Sequence, residues 1–129
     1  MKADLTQVGF TELNTVESVN EFMNEHTTGT TFLVVNSVCG CAAGAARPAI
    51  KEALKNEKLP DNLITVFAGV DTEATAKARE YTLPYPPSSP SMALFKDGKI
   101  IHFIERSQIE GNNAQTIAEH IKKVFDLYC

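Results

Sequence analysis

The chain has no tryptophan, only three cysteines, and fewer basic residues than acidic ones, 12 against 16, over 129 positions. Each scarcity excludes something. No run of Lys and Arg supplies the electrostatic footprint that nucleic acid or an anionic membrane surface requires, and the net charge of −4 comes from interspersed acids and bases. No apolar stretch approaches the roughly 20 residues that span a bilayer. The stretch Met1-Lys2-Ala3-Asp4-Leu5-Thr6 lacks the apolar core of a signal peptide, so a cytoplasmic protein is expected. An odd cysteine count in such a chain argues against a disulfide framework, because cytosolic reductants keep ordinary thiols reduced. Closely placed cysteines in that setting are more often catalytic or metal-binding. The apolar share of 43% suits one proper core, and a single domain over residues 1–129 is expected, with no repeat or low-complexity tract.

What is present alternates between helical and extended patterns. Asn14-Thr15-Val16-Glu17 has the form of a helix start, with Glu17 three residues after Asn14 as in a capping box. Val16, Val19, Phe22 and Met23 then share one helical face, and Thr28-Gly29 closes the segment. Thr31-Phe32-Leu33-Val34-Val35 is a continuous β-branched and apolar run, the pattern of a strand buried on both faces. The small residues Ala42, Ala43, Ala45 and Ala46, then Ile50, Ala53 and Leu54, predict a closely packed helix to about Asn56, bent at Pro48. Leu63 to Ala68 predicts a second buried strand and Thr72 to Tyr81 a short helix. Leu83 to Pro90 is too rich in proline for regular structure. Ser91–Phe95 and Lys99–Ile104 flank Lys96-Asp97-Gly98, a strong hairpin signal. Ile117, Ile121, Val124, Phe125 and Tyr128 follow the spacing of an amphipathic helix. The order predicts an α/β fold: a mixed four-stranded sheet, parallel in its first half and closed by an antiparallel hairpin, with helices on both faces.

Cys39-Gly40-Cys41 lies where the first buried strand gives way to a helix. Unpaired backbone N–H groups and the helix dipole favour an anion there, so a thiolate is stabilised. Such a thiolate is the attacking species in thiol–disulfide exchange. Gly40 keeps the turn sterically open to a disulfide partner. Cys41 falls about one residue further into the helix, more covered, which makes Cys39 the expected nucleophile and Cys41 the resolving thiol. A disulfide between residues two apart closes a small, strained and therefore reducible ring. Two other readings stand beside this one. Both cysteines can be small core residues, or they can clasp a metal, although His26, His102 and His120 are isolated in sequence and none has a metal-ligand spacing with them. A surface or helix-face role is the expectation for each histidine, and no metal is expected.

These residues resemble the thioredoxin superfamily. The resemblance rests on Phe32-Leu33-Val34-Val35 leading to Cys39-Gly40-Cys41, on Pro48, on Val70-Asp71 before a short helix, and on Pro90-Ser91-Met92-Ala93-Leu94-Phe95-Lys96-Asp97-Gly98-Lys99. It covers roughly Thr30 to Cys129. It implies a thioredoxin-like fold in which Pro90 follows a cis peptide bond and packs beside the cysteines. More narrowly, Val35-Asn36-Ser37-Val38-Cys39-Gly40-Cys41-Ala42-Ala43-Gly44, Ala46-Arg47-Pro48 and Tyr85-Pro86-Pro87-Ser88-Ser89-Pro90-Ser91 resemble the bacilliredoxins. That likeness implies a thiol–disulfide oxidoreductase which removes bacillithiol from mixed disulfides on oxidised proteins, Cys39 taking up the adduct and Cys41 or a second thiol clearing it. The partners would be S-thiolated or disulfide-bonded proteins, and bacillithiol would be a co-substrate with no cofactor bound. A terminal cysteine, here Cys129, also occurs in such proteins.

The departures from ordinary thioredoxins are specific. There is no C-x-x-C, Val38 stands where a Trp is usual, and no Asp or Glu lies between Thr30 and Val38. They argue against a general NADPH-coupled thioredoxin. Ser37 either donates to the thiolate or caps the helix. Arg47 either meets the carboxylates of an anionic substrate or is a solvated helix residue. Ser89, Pro90 and Ser91 are candidate substrate-binding positions whose backbone groups would pair with an extended chain. Tyr85 either shields the site or is an exposed loop aromatic. Cys129 is a candidate accessory thiol, a site of oxidation between chains, or an incidental tail residue. The alternatives to bacillithiol removal are a general protein disulfide isomerase or reductase and, in a different class, a thiolate metal-binding or metal-delivery protein.

Overall fold

The computed structural model describes residues 9–25, 28–37, 48–68, 72–82, 91–109 and 112–129. In chain order they form β1 (Thr11–Glu12), α1 (Val16–Glu25), β2 (Thr30–Ser37), a helical stretch α2 over 48–53, β3 (Asn62–Ala68), α3 (Thr72–Tyr81), β4 (Ser91–Lys96), β5 (Lys99–Ile104), α4 (Arg106–Ile109) and α5 (Ala114–Tyr128). The sheet has five strands in the order β1-β3-β2-β4-β5, one more than the sequence pattern predicts. The extra strand is the two-residue β1, which lies parallel to β3 through Thr11↔Ile64 and Glu12↔Thr65. The mixed character is as expected: β2 runs parallel to β3 and antiparallel to β4, and β4–β5 is an antiparallel hairpin.

Burial of β2 on both faces follows from its unbroken apolar run. Phe32 and Val34 enter a core shared with Ala49, Ile50 and Ala53 of α2 and with Ile117, Ile121, Val124 and Phe125 of α5. Leu33 and Val35 face the other way, into a core with Val19 and Met23 of α1 and Ala74 and Ala78 of α3. Phe32 meets Phe125 edge-on, with ring centroids 5.2 Å apart and planes at 90°, the arrangement aromatic quadrupoles favour. Thr65, buried in β3, donates its hydroxyl to the Val34 carbonyl at 2.8 Å, so its polar group costs little there.

Local signals place the element ends. Asp97 and Gly98 have φ of 54° and 80°, the pair of positive values that a two-residue type I′ hairpin requires. The Asp97 carboxylate also accepts from the Gly29 amide at 3.0 Å, and the Asp97 amide donates to the Gly29 carbonyl at 2.8 Å, tying the hairpin tip to the entry of β2. Gly29 is required there: its φ is +81°, and a Cβ would run into the Asp61 carboxylate. The α1 capping box is shifted by one residue from Asn14 and Glu17. Thr15 is the cap, its Oγ1 accepting from the Ser18 amide at 3.0 Å while Ser18 Oγ accepts from the Thr15 amide at 3.1 Å. In α5, Asn113 caps by accepting from the Thr116 amide at 2.8 Å. The turn after α2 reaches Asn56, whose amide donates to the Ala53 carbonyl at 3.0 Å.

Candidate active site

The central strand determines where chemistry can be mounted. β2 ends at Ser37, two residues before Cys39 in sequence, and its parallel neighbour β3 ends beside it through Ser37↔Ala68. β4 starts at that same edge of the sheet, with Ser91 opposite Val35. The strand that precedes Cys39-Gly40-Cys41 in sequence and the strand that follows Ser89-Pro90 therefore lie side by side, their facing ends Ser37 and Ser91 more than fifty residues apart in sequence. Cys39, Gly40, Cys41, Arg47, Ser89 and Pro90 lie outside the described residues, as does Tyr85. Ser37 and Ser91 are the described members of the predicted set at this edge.

Ser91 is 2% exposed, so its side chain is a core group, and what it can offer a ligand is backbone. On one side it pairs with Val35. On the other side the β4–β5 ladder extends only to Met92↔Ile104. The backbone flank of Ser91 turned away from β2 is therefore past the end of β5.

Cys129 is placed elsewhere. It caps the C-terminus of α5, its amide donating to the Phe125 carbonyl at 2.8 Å. Partial burial of its sulfur raises the thiol pKa, opposed by a hydrogen bond with Thr30 and, more weakly, by Lys96 and Lys58, while Asp61 adds to the rise. Thr30 begins β2 and Ser37 ends it, so this thiol sits at the opposite pole of the sheet. The seven steps from Thr30 to Ser37, at about 3.3 Å each, make that separation roughly 23 Å.

A groove of about 420 Å³ runs between α2 and α5, lined by Pro48, Glu52, Ala114, Ala118, Glu119 and Lys122. Glu52 and Lys122 stand on its two walls, 3.6 Å apart. Lys55, hydrogen-bonded and 3.1 Å away, is the main cause of the lowered Glu52 pKa. The groove begins at Pro48, the residue after Arg47, and the sequence pattern gave no sign of it because its walls come from helices sixty residues apart. Among the described residues no group of three or more His, Cys, Asp or Glu side chains could hold a metal ion. Among them, too, no helix is long and apolar enough to cross a membrane.

A mixed sheet in this order, flanked by helices, is a thioredoxin-like fold. Solved structures agree: the chain matches reduced Schistosoma mansoni thioredoxin pre-protein with a TM-score of 0.58 at 16% identity, over 88% of this chain and 95% of that one. Fasciola hepatica thioredoxin matches with a TM-score of 0.57, also at 16% identity, over 88% of this chain and 97% of that one. A family model described as disulphide isomerase matches residues 1–129. The bacilliredoxin of Cytophaga hutchinsonii is 60% identical over 98% of this chain and 92% of its own length. That of Geobacillus kaustophilus is 56% identical over 100% of this chain and 89% of its own length. The chain belongs to this bacilliredoxin, or disulphide isomerase, family and is a thiol–disulfide oxidoreductase.

Proposed function

We propose that the protein removes bacillithiol from mixed disulfides on oxidised proteins, with Cys39 as nucleophile and Cys41 as resolving thiol. The observation that carries this reading is the identity of 60% and 56% to two bacilliredoxins over nearly the whole chain. In the first step the Cys39 thiolate attacks the bacillithiol sulfur of a protein–bacillithiol disulfide. That bond breaks, the target cysteine leaves as a thiolate and takes up a proton, and Cys39 carries the adduct. In the second step the Cys41 thiolate attacks Cys39 sulfur and expels bacillithiol, leaving the Cys39–Cys41 disulfide; alternatively a second bacillithiol thiolate attacks the bacillithiol sulfur of the adduct, forming bacillithiol disulfide and releasing Cys39 as a thiolate. Electrons balance in both branches without a bound metal or organic cofactor.

The edge described above supports one placement of the substrate. An extended segment of the oxidised protein would pair along Ser89, Pro90 and Ser91, using the flank of Ser91 that lies past the end of β5. Arg47 and Ser37 are the remaining accessory candidates, the first for the carboxylates of bacillithiol and the second for the thiolate. The family description favours one second reading, isomerase or reductase action on protein disulfides in general.

The test mixes a bacillithiolated protein with the wild type, Cys39→Ala and Cys41→Ala, and follows adducts by intact-mass spectrometry. Transfer by wild type and by Cys41→Ala, with the adduct retained on Cys41→Ala and no transfer by Cys39→Ala, is the expected pattern. Efficient transfer by Cys39→Ala would overturn the assignment of the nucleophile. Activity on scrambled protein disulfides without any bacillithiol transfer would establish the second reading instead.

A further inference from the structure

β5 carries a bulge whose effect is chemical. Along β4, Phe95 faces Ile100 and Leu94 faces His102, so Ile101 is an extra residue in β5 and the ladder shifts between Leu94 and Phe95. Without the bulge, positions 100, 102 and 104 would share a face. With it, Ile100 packs with the α1–α3 core, whereas Ile104 belongs to the α5 core. His102, opposite Leu94, is turned to the face on which Leu94 packs, towards α5. There it meets His120: the two Nε2 atoms are 3.1 Å apart, and the ring centroids 5.4 Å. The ring of Tyr128, about two turns beyond His120 on α5, lies with its centroid 6.4 Å from that of His102.

A separation of 3.1 Å fits either of two situations. In one, a protonated Nε2 donates to an unprotonated Nε2. In the other, both nitrogens present lone pairs to one ion between them. Two imidazoles on an ion at about 2.0–2.1 Å sit roughly 2.9 Å apart at a right angle and about 3.3 Å apart at the tetrahedral angle, so the observed bite falls between these. Both rings are half-buried, which fixes them by packing while leaving the pair open to solvent. Burial, and after it the neighbouring His120, lowers the His102 pKa and so favours the neutral, ligating form.

We propose that His102 and His120 form a two-imidazole chelate for a borderline divalent transition ion, with Nε2 of each as donor and water completing the coordination. Imidazole suits zinc, copper and nickel ions, and hard oxygen-seeking cations would not be held. The site is independent of the cysteine chemistry, since it joins β5 to α5 on a sheet edge two strands from β2.

Zinc(II) titrated into the reduced wild type, watched through the imidazole nitrogens by NMR, tests this directly. Nε2 of His102 and of His120 should shift together on one saturation curve, and the same curve should appear in the Cys39→Ser/Cys41→Ser variant. His102→Gln and His120→Gln should each weaken that binding on the order of a hundredfold, because the remaining imidazole loses the chelating second donor. Zinc that perturbs only the cysteines, or histidines that shift separately or not at all, would overturn the proposal. The wild-type spectrum decides the matter even if either glutamine variant fails to fold.

Discussion

Cys129 illustrates how the placement of one sulfur sets its chemistry. The residue is exposed and free, yet partial burial of the thiol raises its pKa, with Asp61 nearby adding to the effect. A raised thiol pKa means a smaller thiolate fraction at neutral pH, hence slower labelling there than for an ordinary free thiol. Iodoacetamide at neutral pH should therefore label Cys129 more slowly than a cysteine in an unstructured peptide, the gap closing as pH rises. Peptide mapping across a pH series measures it. Labelling at neutral pH as fast as the peptide control would contradict the inferred environment. Cys129→Ser is expected to leave bacillithiol transfer within about twofold of wild type, since roughly 23 Å separates Thr30 from Ser37 along β2.

Among the elements, α5 carries one of the clearest single-residue dependencies. Asn113 supplies the oxygen that satisfies the Thr116 amide, and the first turn of that helix has no acidic residue. Asn113→Ala should cost about 1 kcal/mol of stability and lower the melting temperature by a few degrees, read by thermal or denaturant unfolding. An unchanged midpoint would mean that water replaces the cap at no cost. Element identity was well written in the sequence wherever one periodicity ran long enough. The bounds of α3, Thr72–Tyr81, agree with expectation, and β4, β5 and the Asp97-Gly98 turn fall where the alternation and the positive-φ residues put them. The misses are short. Thr11–Glu12 has no apolar alternation of its own and becomes a strand only because β3 offers it a ladder. The four residues of α4 are too few to show a helical period. Thr15 displaced Asn14 as cap because Ser18, not Glu17, closes the reciprocal pair.

For the molecule as a whole, β2 is the structural axis. It is flanked along its length by β3 and β4, and both of its faces are buried. Its amides between Phe32 and Val35 should be among the slowest in the chain to exchange with deuterium, opening only with global unfolding, whereas those of β5 should exchange faster. Equal protection of β2 and β5 would show that the central strand is no more rigid than the edge. Of the candidate site, the local pattern gave the strand before the cysteines, which ends at Ser37, while Cys39 and Cys41 lie outside the described residues. The convergence of Ser37 with Ser91 was readable only through resemblance, since it depends on strand order. The histidine pair was not readable at all. Eighteen residues separate His102 from His120, and the inserted Ile101 reverses the side on which simple alternation would place His102.

That inserted residue bears on the protein's company as well as on its chemistry. An outer strand with a regular row of free amides and carbonyls invites a foreign strand to add to it, the first step of aggregation. In β5 the bulge falls in the middle of the strand, breaking the spacing that an incoming chain would have to match, and exposed Lys99 stands at its start. The opposite rim is β1, only two residues long. Under the function proposed above, an extended segment of an oxidised protein would be taken up at Ser91, while both rims remain poor templates for a foreign strand.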